Sequence, residues 1–267
     1  MIEIRFEFGE NWSRFLETID ETRIGVAVDS LQQMIGRETL QGLRFLDIGS
    51  GSGLFSLAAR RLGAEVVSFD YDPNSVACTR ALRETYCQGD PHWVISQGSV
   101  LDEEWMKSLG SFDVVYSWGV LHHTGAMWTA VDVACGSVRD GGALFIAIYN
   151  DQGWKSGVWT RIKRTWTRAP RILRPFIGAP FFAWLWAKAS LLDLLRGRPF
   201  ASWRHYQAGR GMSPWHDFID WIGGYPFEVA SPEQIFDFCR ERGFALKRLK
   251  TVRGSLGCNE FVFEKSA

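Results

Sequence analysis

The sequence lacks the features that announce several classes of protein. Its five cysteines, Cys78, Cys87, Cys135, Cys239 and Cys258, form no C-x-x-C pair and no metal-ligand spacing. That excludes a zinc ribbon or a radical-type iron–sulfur site, predicts no metal, and suits reduced thiols in a cytoplasmic protein. Net charge is missing as well: 30 basic residues balance 30 acidic ones, so no overall field favours nucleic acid. The opening Met1-Ile2-Glu3-Ile4-Arg5 has no basic stretch leading into an apolar run, so no signal peptide is expected. Neither an internal repeat nor a low-complexity tract is present.

What the chain does have is alternation. Its 267 residues suffice for one α/β domain with a large insertion. Short apolar strands are expected at Arg44–Ile48, Glu65–Asp70, His92–Gln97, Phe112–Trp118 and Ala143–Tyr149, with helices between them as βαβ units require. Pro73 opens one helix, where a first turn tolerates proline. Ser231-Pro232-Glu233-Gln234 starts another, with an N-cap followed by proline. Two final strands, Ala245–Val252 and Asn259–Glu264, are joined by a loop too short for a parallel crossover. The prediction is therefore a single domain over 1–267, a doubly wound, Rossmann-like sheet with one antiparallel strand. Residues 1–41 form a cap that includes Phe8-Gly9-Glu10-Asn11-Trp12, and 151–230 are inserted after strand five.

The strongest local signal is Asp47-Ile48-Gly49-Ser50-Gly51-Ser52-Gly53, between a strand and a helix. Glycines there let the backbone turn sharply and approach a ligand. A nicotinamide dehydrogenase also uses such a turn, but with G-x-G-x-x-G spacing, and the carboxylate of Asp47 would repel its pyrophosphate. A cationic sulfonium ligand with a free amino group suits Asp47 better. Asp70, at the end of the second strand, is placed to accept hydrogen bonds from two ribose hydroxyls. Ser99 follows the third strand, where a polar side chain and a backbone N–H can meet an adenine edge. The alternative for all three is capping or turn chemistry.

Taken together with Phe69-Asp70-Tyr71-Asp72-Pro73, Trp118-Gly119-Val120-Leu121-His122-His123 and Arg139-Asp140-Gly141-Gly142, this turn resembles the successive motifs of class I S-adenosylmethionine-dependent methyltransferases. The resemblance covers roughly residues 42–150 and, more loosely, 231–265. It implies a seven-stranded sheet with the last strand antiparallel and S-adenosyl-L-methionine as cofactor. The methionine end would be held by Asp47, Gly49, Ser50, Gly51 and Gly53, the ribose by Asp70, and the adenine by Ser99 and Val100. Tyr71 and Trp118, within the matching motifs, complete the cofactor set. Ser99 departs from the pattern, since many members carry Asp there. The outline is similar to small-molecule enzymes such as the ubiquinone-type polyprenyl O-methyltransferases, and it lacks the Asn/Asp-Pro-Pro-Tyr/Phe motif of amino-methylating DNA enzymes. O-methylation is the expectation; N-methylation and a non-catalytic binding module are the alternatives.

Ligands of an open α/β sheet bind beyond the carboxyl ends of its strands. His123 and His122 fall on that face, and an imidazole is a natural base; a purely structural role is the alternative. Arg210, His216, Tyr225 and Glu228 lie in two glycine- and aromatic-rich segments that read as a substrate lid more than as a helix. The insertion carries the chain's charge asymmetry: Asp151–Arg210 holds 12 Lys/Arg against two acids, and six of the 13 tryptophans. In Val158–Trp166 the side chains of Val158, Trp159, Ile162 and Trp166 share one helical face while Arg161, Lys163 and Arg164 point elsewhere. With the apolar run Pro180–Leu195, this composition predicts contact with a membrane surface through 155–196, serving a small-molecule or lipid-linked acceptor. A helical lid with a solvated basic face is the competing expectation; packing against another subunit and, more weakly, nucleic-acid binding by the basic block are further readings.

Overall fold

The computed structural model describes residues 16, 19–170, 172–199, 201–202, 214–255 and 257–266. Phe8–Trp12 and Arg210 lie outside the described residues. Seven strands, β1 (Arg44–Ile48), β2 (Glu65–Asp70), β3 (Trp93–Gln97), β4 (Phe112–Trp118), β5 (Val138–Tyr149), β6 (Phe244–Lys250) and β7 (Cys258–Lys265), form one sheet. Their order is β3-β2-β1-β4-β5-β7-β6. The pairs from β3 to β5 are parallel, whereas β7 runs antiparallel to both its neighbours. This is the predicted doubly wound topology.

The helices start where side chains meet their free amides. In α1 (Glu21–Ile35) the carboxylate of Asp20 accepts from the N–H of Arg23, and Gly36 ends the helix. The turn after β1 feeds α2 (Leu54–Arg61). Asp72 caps α3 (Pro73–Tyr86), and Asp102 caps α4 (Glu103–Ser108), a short helix the sequence reading passed over. A 3-10 turn, Leu121–His123, precedes α5 (Met127–Gly136). Three helices occupy described parts of the insertion: α6 (Trp154–Arg168), α7 (Arg174–Leu195) and α8 (Pro214–Gly223). Finally α9 (Pro232–Arg240) begins with a reciprocal capping box between Ser231 and Gln234.

Because the central strands are covered on both sides, adjacent residues enter different cores. Phe45, Val114, Tyr116 and Phe145 pack with α1 and α2, around Leu31 and Leu57. Leu46, Val115, Leu144 and Ile146 pack with α5 and α9, around Val131 and Ile235. A third, separate cluster of Trp166, Phe218 and Ile222 holds α6, α7 and α8 together.

Several expectations need correction. The segment from Pro214 to Gly223 is a helix, not an open lid, because Phe218 and Ile222, one turn apart, bury against Trp166. β5 begins at Val138 rather than Ala143, since Val138 pairs with Phe112 across a bulge. The apolar face of α6 is covered in part: Trp159 and Trp166 are buried, so they are not anchors for a surface outside the protein, whereas Val158 stays exposed. Lys163 does not point away from that face; it lies on it, with no exposed area.

The turn after β3 shows how tightly the ligand end of the sheet is built. A Cβ at Gly98 would overlap the Trp105 ring, itself set edge-on to Phe69 at 4.9 Å. Gly98→Ala should therefore destabilise the fold by about 1–3 kcal/mol, the usual effect of overpacking. Urea unfolding of variant and wild type measures it, and an unchanged midpoint would mean that Trp105 has room to move.

Candidate active site

The turn between β1 and α2 packs against the end of β2. The amides of Gly49 and Ser50 both donate to the Phe69 carbonyl, at 2.8 and 3.0 Å, and that of Gly53 to the Ser50 carbonyl. Gly49 has φ +78°, and a side chain there would run into the methyls of Val120, so only glycine serves. The Ser50 hydroxyl meets that of Thr79 at 2.9 Å. Beside this turn, Asp70 accepts from the Gly51 amide at 3.0 Å and from the Asp72 amide at 2.9 Å. Backbone amides thus fix the carboxylate, that of Tyr71 being a third donor.

Asp47 is 2% exposed and accepts the Ser56 hydroxyl at 2.5 Å. Burial pushes its carboxyl up to about 7, with the Ser56 bond opposing and the Asp70 charge adding to the rise. Burial likewise raises Asp70 to about 6, against the amides of Asp72 and Gly51. No described Lys or Arg forms an ion pair with either. A buried and a half-buried carboxyl, with no described cation beside them, fit a ligand carrying a sulfonium and an ammonium, and do not fit a pyrophosphate.

The remaining predicted cofactor residues divide. Tyr71 and Trp118 stay 60% and 47% exposed, as large rings at the mouth of the site. Val100 is buried, and the Ser99 hydroxyl accepts from the Leu101 amide at 3.2 Å as part of its turn. Thr79, Ser56 and Trp105 also build this site and were missed; nothing in their spacing distinguishes them from ordinary helix positions.

On the other side of Val120 stand the two histidines. The His122 ring is fully buried, its Nδ1 accepts from the Tyr149 amide at 3.3 Å, and its Nε2 has no described partner. His123 is half-buried, with Nδ1 2.6 Å from the Pro226 carbonyl. Since a carbonyl only accepts, Nδ1 carries the proton and Nε2 is the basic nitrogen. Burial lowers His123 to about 3, with the Pro226 bond opposing and Lys163 contributing; burial takes His122 well below the ordinary imidazole value. Both rings are therefore neutral at physiological pH.

A strap formed by residues 221–230 runs beside them. The Glu228 amide donates to the His122 carbonyl at 3.0 Å, and the Ala230 amide to that of Tyr149 at 3.0 Å. Both oxygens of Glu228 accept from the Met127 amide, at 3.2 and 3.0 Å, so this carboxylate caps α5. Tyr225 is half-buried, and its amide donates to the Gly223 carbonyl. His216 sits in α8, but its side chain lies outside the described residues, as does Arg210. Tyr149, Phe227 and Lys163 complete the cluster: the Tyr149 ring lies 4.1 Å from His122, 5.5 Å from His123 and 5.1 Å from Phe227. Lys163, drawn down to about 7 by burial, was read as solvated and is instead part of this wall.

A sequence model of the methyltransferase domain matches residues 19–192. The chain belongs to this methyltransferase family. Its seven-stranded sheet, with β7 antiparallel between β5 and β6, is the class I methyltransferase fold. The magnesium protoporphyrin IX methyltransferase of Synechocystis PCC 6803, solved with S-adenosylhomocysteine, superposes with a TM-score of 0.55 at 15% identity, covering 97% of this chain and 94% of that one. An O-methyltransferase family protein from Burkholderia thailandensis gives 0.52 at 16%, over 84% of this chain and 51% of that one. At these identities the likeness is one of fold. Among curated relatives, the ubiquinone biosynthesis O-methyltransferase of Methylobacterium sp. (strain 4-46) is 34% identical over 116 residues, 43% of this chain and 45% of the relative. That of Rhizobium etli (strain ATCC 51251) is 29% identical over 140 residues, 51% and 54%. The chain thus spans about half the length of the curated relatives it matches.

For this methyltransferase the two acids carry a pH signature. A carboxyl held above its ordinary value contributes stability to the free protein that is fully present below about pH 4 and is lost as pH rises through 6 and 7. A cationic ligand favours the ionised forms and reverses the trend. S-Adenosylmethionine affinity should rise about tenfold or more between pH 5 and 8, and S-adenosylhomocysteine affinity, without the sulfonium charge, less. Asp47→Asn should remove the upper part of the rise. Calorimetric titrations across this range check it, and parallel flat profiles would take both acids out of the cofactor site.

Proposed function

We propose that this chain transfers a methyl group from S-adenosylmethionine to a hydroxyl oxygen of a small or lipid-linked molecule. The observation that carries the reading is His123, an imidazole beside the cofactor turn whose Nδ1–H is tied to the Pro226 carbonyl, which leaves Nε2 as the proton acceptor. The names of the partial relatives, ubiquinone biosynthesis O-methyltransferases, support an oxygen acceptor.

The bound cofactor supplies an electrophilic methyl on a sulfonium. What the chain must add is position and a proton acceptor. Asp70 and the Gly49–Gly53 turn would hold the nucleoside and methionine ends, while Tyr149, Phe227 and the histidines, packed on one another, would form the wall facing the acceptor. The acceptor's hydroxyl oxygen would take that methyl, leaving the neutral thioether, and the role of His123 is to accept the hydroxyl proton at Nε2. A weakly basic imidazole suffices, because a hydroxyl oxygen gaining a methyl becomes strongly acidic as the bond forms. His122, with Nδ1 occupied by the Tyr149 amide, supports the turn instead.

His123→Ala should lower turnover with a prenylated phenol by about 10²–10⁴-fold, the usual range for a positioned base, and leave S-adenosylhomocysteine affinity unchanged. Wild-type turnover in that variant would retire the assignment.

The lipid-linked part of the proposal rests on α7. Phe176, Trp184, Leu191, Leu194 and Leu195 are 57–75% exposed and fall within about 100° of a helical wheel. Arg161, Arg164 and Arg168 are exposed on neighbouring α6. No described helix is long and apolar enough to cross a membrane, so the contact proposed is with its surface. Each basic residue near an anionic surface contributes about 1 kcal/mol, a part that salt screens, while burial of the apolar stripe resists salt. Co-sedimentation with phosphatidylglycerol vesicles should capture the wild type and release Phe176→Asp/Trp184→Asp. Equal pelleting of the two would remove α7 from the contact, and no pelleting would confine the acceptor to soluble molecules.

A further inference from the structure

We propose that Lys163 is a positioning residue for methyl transfer: from inserted helix α6 it holds the strap that holds His123. The inference rests on the proposed role of His123 and adds a residue that no motif marks.

Lys163 lies on the face of α6 shared with Trp159 and Trp166 and has no exposed area. Its Nζ donates to the Trp221 carbonyl, in the last turn of α8. The same nitrogen lies 4.4 Å from the centre of the Trp221 ring, 4.8 Å from that of Phe227 and 5.9 Å from that of Tyr149. One turn along α6, the Thr167 hydroxyl donates to the Gly223 carbonyl at 3.0 Å. Two side chains of one helix thus hold the end of α8, where its carbonyls have no partners within the helix. Three residues beyond Gly223 comes Pro226, whose carbonyl takes the His123 proton. Next is Phe227, whose ring packs on Tyr149, and Tyr149 in turn faces both histidines.

The energetics make this chain of contacts stiff. An ammonium out of water needs compensation, and no described carboxylate pairs with this one. The titratable groups that face it are Tyr149 from β5 and the two imidazoles from the turn after β4. Its compensation is one carbonyl and three aromatic faces, and two of those faces, with the carbonyl, belong to residues 221–227. Displacing the strap would strand the ammonium; removing the ammonium frees the strap.

The test is Lys163→Met, which keeps length and apolar packing but removes the donor and the charge. The variant should bind S-adenosylhomocysteine within twofold of wild type while kcat with a prenylated phenol falls by about tenfold to a hundredfold, as a misplaced catalytic group does. The ring nitrogen signals of His123 in a 15N spectrum should move with it, since a loosened strap weakens the Nδ1–H bond. A folded variant with wild-type kcat overturns the proposal. So does a fall in kcat with the His123 signals unmoved. If Lys163→Met does not fold, Thr167→Val removes the neighbouring bond to the same helix end, with a smaller drop expected in the same readouts. A wild-type chain that binds S-adenosylhomocysteine but methylates no prenylated phenol refutes the proposed acceptor, and the His123 signals then decide the Lys163 link by themselves.

Discussion

The site depends on one close approach, between Gly49 and Val120. β1 and β4 lie side by side, with Asp47 opposite Tyr116, so the turns leaving their carboxyl ends must share space. Val120 takes the volume that a side chain at position 49 would fill, and the Ser117 hydroxyl donates to the Ile48 carbonyl at 3.0 Å just beneath. The glycine turn proposed to hold the cofactor is thereby pressed against the turn that carries His122 and His123. A displacement at sulfur needs its nucleophile at near-attack distance, and errors of an ångström are expensive. Setting both turns on neighbouring rigid strands meets that demand without moving parts.

Much of this half was legible because its signals are local. Asp47, the glycines and Asp70 sit at strand ends that apolar runs define, and the short final hairpin forces an antiparallel strand. The start of β5 was hidden, because Arg139-Asp140-Gly141-Gly142 reads as a turn while pairing with Phe112 extends the strand through it. The roles of Ser99 and Glu228 were equally out of reach. A hydroxyl or carboxylate looks the same in sequence whether or not it also accepts from a backbone amide, as these do at Leu101 and Met127.

The insertion misled for a deeper reason. Helical periodicity sorts residues into apolar and polar faces, and Lys163 was placed by its charge alone. Its burial is decided by a carbonyl and three rings contributed by distant segments, α8 among them, and glycines at 223 and 224 disguised that helix. The apolar face that seemed available to a membrane is consumed by the Trp166–Phe218–Ile222 cluster. Most of what remains exposed belongs to α7, with Trp154 and Val158 on α6, and apolar residues surround α7 too evenly for periodicity to say which side would be open.

The position of β7 has a consequence for how the chain comes together. It is the last strand in sequence yet sits inside the sheet, between β5 and β6, pairing Ala143 with Glu264. During synthesis the amino-terminal part can assemble first, but one edge of β5 stays unpaired until more than a hundred further residues are made. Loop closure over that distance is slow, and an open apolar edge invites pairing with other chains. In that interval the inserted helices are already attached next to the open edge, so early docking of α8 through its strap would shield Tyr149 and the end of β5 before β7 arrives.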